Sequence, residues 1–305
     1  MNLEACLPVE LRGSTISRIS AGLSGAGVYR VDAGDRAFVL KISEADDLDA
    51  WRRQLAIRKN AAAAGLAPAV VHADEDRRAV VSAFVADRSF PALYLDPRTR
   101  DDALVLLGRT LRRVHGLPLP DAPVHDPREF LAVLWGKLAG FAVPAFVGDA
   151  IRRAIDEPPP ARDAIALCHN DVNPTNLVYD GEHLMLLDWE VAAANDPVYD
   201  LAAIALFLRM DDDACRKLVA AHDDAPIGEL PARFGYNRRL AAAICGAMFT
   251  GLARAGGHVG AIGETPESTP SLVEFYQRLR AGAVNLASPE GQWWFGLALV
   301  KAGAG

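Results

Sequence analysis

Apolar positions recur in short alternating runs over the first eighty or so residues and then settle into helical spacing. Ile16 to Ile19, Val28 to Val31 and Ala37 to Ile42 are β-type runs, the last two separated by Asp32-Ala33-Gly34-Asp35, a hairpin turn by composition. Asp47 to Ala64 is alanine-rich and helix-like, with stop signals at Gly65 and Pro68. Val70-Val71 and Ala79 to Val85 add two strands around the polar turn Asp74 to Arg78. This predicts an antiparallel sheet with one helix, ending near residue 84.

Beyond that point the pattern is helical. Leu104, Leu107, Leu111 and Val114 space one face of a helix over Asp101 to His115. Phe130 to Phe141, Asp149 to Asp156, Asp200 to Arg209, Asp213 to His222, Arg238 to Ala255 and Ser271 to Leu286 follow suit. One β-like island interrupts them at Ala164 to Leu187, where Leu177-Val178-Tyr179, the pair Asp180-Gly181 and Leu184 to Leu187 form a hairpin. The expected organisation is α+β: a small lobe over 1–84 and a larger, mostly helical lobe over 85–305.

Composition narrows the function. The 305 residues carry 39 acidic and 32 basic side chains, a net charge of −7 that leaves no broad footprint for nucleic acid. The longest apolar run, Leu201 to Leu208, is far too short for a bilayer span, so no membrane partner is expected. Cys6, Cys168, Cys215 and Cys245 lie far apart, and Met-Asn-Leu-Glu-Ala-Cys has no secretory pattern, which suits reduced thiols in a cytoplasm. Oligomeric state is not legible. Only five of the basic residues are lysines (Lys41, Lys59, Lys137, Lys217, Lys301), so a lysine inside an apolar strand is a marked choice.

The densest chemistry is His169-Asn170-Asp171-Val172-Asn173-Pro174-Thr175-Asn176, followed twelve residues later by Asp188 at the end of an apolar strand. Phosphoryl transfer needs a carboxylate to orient the attacking hydroxyl, and an amide oxygen with a second carboxylate to hold magnesium. Asp171 fits the first role, Asn176 and Asp188 the second, and the intervening hairpin brings the last two together. A second signal is the glycine spacing Gly22, Gly25, Gly27 with Ser24 among them, where backbone N–H groups can approach phosphate. Alone it is weak, and an ordinary hairpin explains it better. Lys41 in the strand Val39-Leu40-Lys41-Ile42 strengthens it, because a buried ammonium needs an anionic partner.

Together these residues resemble the aminoglycoside phosphotransferase and choline kinase superfamily, with its bilobal protein-kinase-like fold. The resemblance also takes in Leu111-Arg112-Arg113-Val114-His115 and Asp188-Trp189-Glu190 followed by Asn195-Asp196-Pro197-Val198-Tyr199-Asp200, a pattern closer to the choline, ethanolamine and thiamine kinase branch. It implies ATP in a cleft between lobes, Lys41 on its phosphates, Asp171 as base with His169 beside it, and Asn176 with Asp188 on Mg2+. In this family a helix glutamate pairs with the lysine; counting back from Ala64-Gly65-Leu66, that position holds Gln54, with Asp47 or Asp49 as possible substitutes. A nucleotide-binding scaffold without transfer is the competing reading that Gln54 raises.

For the acceptor, a cationic amino alcohol would meet carboxylates and aromatic faces. Glu190, Trp189, Tyr276, Trp293 and Trp294 are the candidates, although core packing explains the aromatics equally well. An aminoglycoside would need a wide acidic rim, for which Asp211-Asp212-Asp213 and Asp223-Asp224 are available.

Overall fold

The computed structural model describes residues 2–19, 27–43, 47–119, 124–161 and 164–304, the last without its side chain. The N-terminal strands are β1 (Thr15–Arg18), β2 (Gly27–Ala33), β3 (Arg36–Ile42), β4 (Val70–Asp74) and β5 (Ala79–Ala83). They form a five-stranded antiparallel sheet in the order β1-β2-β3-β5-β4. Ala33 pairs with Arg36 around the expected turn, whose Gly34 takes φ +66°, a conformation that favours glycine. One sheet face carries Val31, Phe38, Leu40, Ile42, Ala79 and Val81, covered by Cys6, Leu7 and Leu11 from two short turns at the N-terminus.

Helix α1 (Leu48–Ala63) starts where Asp47 accepts from the backbone N–H of Asp49 and Ala50, a cap that contributes about 1 kcal/mol. It ends at Gly65, φ +69°. α2 (Phe90–Leu95) and α3 (Arg100–His115) follow, the latter with Leu104, Leu107, Leu111 and Val114 buried as the spacing predicts. β6 (Ala166–Cys168) leads into residues 169–176, and β7 (Leu177–Tyr179) pairs with β8 (Leu184–Leu186) as the expected hairpin. The remaining helices are α4 (Pro127–Lys137), α5 (Ala145–Asp156), α6 (Pro197–Phe207), α7 (Asp212–Asp223), α8 (Ala232–Ala255), α9 (Leu272–Arg280) and α10 (Pro289–Ala304). The class is α+β, as expected, and among the described residues no helix is long and apolar enough to cross a membrane.

Two compact units emerge from the contacts. One joins Met1–Ala122, Ala166–Ala194 and Ala220–Pro226; the other joins Pro123–Ile165, Asn195–Val219 and Ile227–Gly305. This division follows a different line from a cut along the chain at residue 84. The hairpin segment folds in with the sheet because Leu186 N–H bonds the Leu66 carbonyl and Arg88 N–H bonds that of Tyr179.

In the second unit α8 and α10 cross at small residues. A Cβ on Gly246 would lie 2.3 Å from Val300 Cγ2, and one on Gly296 would lie 3.0 Å from the Gly246 carbonyl. Gly246→Val should therefore overpack this seam and destabilise the fold by about 1–3 kcal/mol. A urea titration checks this; an unchanged midpoint would mean the helices separate without cost. Asp196 caps α6 by accepting from Val198 N–H and also accepts from Asn237 Nδ2, a structural role.

Candidate active site

Lys41 stands next to the last residue of β3, opposite Val28 of β2 and Val80 of β5. Strand alternation sends Leu40 and Ile42 into the core and Lys41 to the other face. There it is 9% exposed, and α1 and Trp189 line the space around it. Its ammonium lies 2.9 Å from Asp188 Oδ1 and 2.7 Å from Glu190 Oε1. Two carboxylates offset the cost of withdrawing the ammonium from water.

The acids arrive by way of a tight turn. Asp188 adopts the left-handed region at φ +60°, and residues Trp189–Val191 then form a single 3-10 turn. Sequence spacing places Asp188 and Glu190 on one face of an extended segment; here the turn, not a strand, directs both toward Lys41. Trp189 is buried, its Nε1–H donating to the Leu186 carbonyl at 2.9 Å, so it is part of the packing that fixes the turn. Asn170 is likewise left-handed, at φ +63°. Asn and Asp tolerate this conformation better than other non-glycine residues, and such strain clusters at functional sites.

Asp171 accepts from Asn173 Nδ2 at 2.9 Å and from Asn176 Nδ2 at 2.7 Å. Asn176 Nδ2 also donates to the Asp171 carbonyl at 3.0 Å. These bonds fix the amide so that Asn176 Oδ1 faces away from Asp171 as a hard acceptor. Burial pushes the Asp171 carboxyl above its ordinary range; the Asp188 charge acts in the same direction, against His169, Asn173 and Asn176. A carboxylate held in that direction is a stronger proton acceptor.

His169 is fully buried under the loop. Its Nε2–H donates to the Leu187 carbonyl at 2.8 Å, and its ring meets Trp189 edge to face at a centroid distance of 4.9 Å. This contact ties the Asp171 loop to the Asp188 turn. Leu187 N–H, in turn, bonds the Asn176 carbonyl at 2.8 Å. The two oxygen donors expected to hold a metal are thus joined through backbone.

Gln54 does not bond Lys41. Its Nε2 donates to the Glu190 carbonyl at 2.8 Å. Asp47 and Asp49, the suggested substitutes, are engaged elsewhere: Asp47 caps α1, and Asp49 pairs with Arg52 at 3.2 Å. Asn173 and Arg58 were not anticipated as site residues. Arg58 lies one turn beyond Gln54 on α1 and lines the space beside Lys41, where burial lowers its pKa against the charges of Asp188 and Glu190. Its i+4 spacing from Gln54 was the available signal.

Gly27 opens β2, whereas Gly22, Ser24 and Gly25 lie outside the described residues. The C-terminal aromatics are occupied. Trp293 is buried with His258 stacked on it at 4.5 Å and Phe141 against its edge; Trp294 Nε1–H donates to Glu290; Tyr276 packs on Phe295 under the Arg209 guanidinium. Burial pushes the Tyr276 hydroxyl up to about 12. Trp293 belongs to one core cluster of the second unit, Tyr276 packs against another, and Trp294 packs against both.

Protein LicA of Haemophilus influenzae is 43% identical over 37 residues, and the match spans only 12% of this chain and 14% of that protein. Among solved structures, a choline/ethanolamine kinase family protein from Mesorhizobium loti is similar with a TM-score of 0.60 at 19% identity, covering 96% of this chain and 94% of that one. LicA in complex with AMP has a TM-score of 0.60 at 17% identity, covering 90% and 92%. An aminoglycoside phosphotransferase so described only by inference, from Ralstonia eutropha, has a TM-score of 0.60 at 14% identity, covering 97% of each chain. The phosphotransferase enzyme family matches residues 15–239, a span that contains Lys41, Asp171, Asn176 and Asp188. The chain belongs to that phosphotransferase enzyme family.

Proposed function

We propose that this protein transfers the γ-phosphoryl group of ATP to a hydroxyl of a small, cationic, choline-like amino alcohol. The observation that carries the reading is that a strand lysine, a half-buried carboxylate and two oxygen donors meet within one compact unit. Asp171 orients the acceptor hydroxyl and takes its proton as the oxygen forms its bond to phosphorus; the bond to the ADP oxygen breaks, and its electron pair leaves with ADP. Lys41 engages the α- and β-phosphates. Residues 1–84 act as the nucleotide-binding lobe, residues 85–305 as the catalytic and acceptor-binding lobe.

Asn176 Oδ1 and the Asp188 carboxylate would hold Mg2+, and an amide oxygen with a carboxylate suits a hard cation. When bound, the ion neutralises charge on the phosphates. His169 keeps the Asp171 loop and the Asp188 turn in register, and Asn173 with Asn176 keeps the base oriented. We place the protein in the cytoplasm, a reading that rests on four cysteines scattered along the chain without a Cys-x-x-Cys pair.

The choline-like acceptor is supported by Asp188-Trp189-Glu190, by the similarity to the choline/ethanolamine kinase family protein of Mesorhizobium loti, and by the net charge of −7. Lys41 has a carboxylate partner in Glu190 as well as in Asp188, which weighs against an inactive scaffold. ADP release should be compared across choline, ethanolamine, thiamine and an aminoglycoside at equal magnesium-ATP. The expected result is kcat/KM at least about tenfold higher for one of the small amino alcohols. Preference for the aminoglycoside would reassign the acceptor, and nucleotide binding without ADP from any acceptor would support the scaffold instead.

A further inference from the structure

The helix that follows the lysine strand offers Lys41 no acid. Its side chains toward the site are Trp51, Gln54, Leu55 and Arg58, one turn after another on one face. That face is neutral to positive. With Lys41 and Arg58 together, two cations stand in a partly buried space, and the balancing charges come from Asp188 and Glu190. If Asp188 is committed to a metal, Glu190 alone remains for Lys41.

We propose that Glu190 is the acid that positions Lys41, and that Gln54 ties it to α1 by donating to the Glu190 carbonyl. The charge thus comes from the turn after Asp188, and the helix supplies only the tether. This rests on the reading that Lys41 engages nucleotide phosphate. The shorter of the two lysine contacts is the one to Glu190, 2.7 Å against 2.9 Å. The tether is specific in polarity: a nitrogen stands 2.8 Å from a carbonyl oxygen, so a carboxylate at position 54 would set two oxygens against each other. Glu190 and Gln54 are positioning residues that act through Lys41.

The test is calorimetric titration of ADP into wild type, Glu190→Gln, Glu190→Asp, Gln54→Ala and Gln54→Glu, followed by steady-state kinetics. Glu190→Gln should weaken ADP binding about tenfold or more, while Glu190→Asp, which keeps the charge one methylene back, should recover part of it. Gln54→Glu should be worse than Gln54→Ala. The double variant Glu190→Gln/Gln54→Ala should lose less than the sum of the singles, because both act through one contact chain. In turnover, Glu190→Gln should raise KM for ATP and lower kcat with the acceptor KM unmoved. Amide exchange over 189–191 should quicken in Gln54→Ala even if its activity is too low to read.

Wild-type ADP affinity in Glu190→Gln, or a raised acceptor KM alone, would overturn the proposal and place Glu190 against the acceptor. Gln54→Glu binding as well as wild type would also overturn it. If wild type itself binds no nucleotide, this inference and the proposed function fail together; if wild type binds and the variants match it, only this inference fails.

Discussion

Replacing Asp171 with Asn should lower kcat by about 10³ to 10⁴ while leaving nucleotide affinity within a few-fold of wild type. General-base catalysis accounts for most of that range. The rest comes from orientation: the carboxylate now accepts one N–H on each oxygen, from Asn173 and from Asn176. An amide at position 171 has a single oxygen, so one donor is left facing an NH2 group, and Asn176 loses the bond that aims its Oδ1. Single-turnover chemistry with labelled ATP separates this step from binding. A rate within tenfold of wild type would show that Asp171 is not the proton acceptor.

Asp188→Asn should cost about 10³ in kcat, with a large rise in the magnesium needed for half-maximal rate. The reasoning is electrostatic. Asp188 now serves Lys41 at 2.9 Å, but Lys41 retains Glu190 when Asp188 is neutralised. Nucleotide contact through Lys41 should therefore survive, and the loss should fall on the metal. Added magnesium should restore part of the rate. An unchanged magnesium dependence would mean that Asp188 acts only as a lysine partner.

Much of the first unit is legible in the chain because its signals are local. Asp47 and Gly65 bracket α1, Gly34 marks the β2–β3 turn, and alternation around Lys41 separates core from site. His-x-Asp-x-x-x-x-Asn is legible for the same reason, since Asp171, Asn173 and Asn176 bond one another within a few residues.

Long-range pairings and buried helices are less legible. Lys41 and Asp188 are 147 positions apart, and no local pattern says that Glu190 would reach the same ammonium or that Gln54 would find a backbone carbonyl. The turn at Asp188 was hidden because its left-handed residue is an aspartate, not a glycine. α10 lacks an amphipathic period, since Trp293, Phe295, Leu297, Ala298, Leu299 and Val300 are all buried; such a helix shows no polar face to count. α2, six residues long, is too short for periodicity to register. The C-terminal aromatics stood out as residue types, but burial places Trp293 in packing.

The most direct test of the account is phosphorus NMR of wild-type protein incubated with magnesium-ATP and the best amino alcohol from the panel. A phosphomonoester resonance should grow in step with ADP, and Asp171→Asn should show neither. Formation of inorganic phosphate in place of the ester, or an ester formed equally by Asp171→Asn, would contradict it.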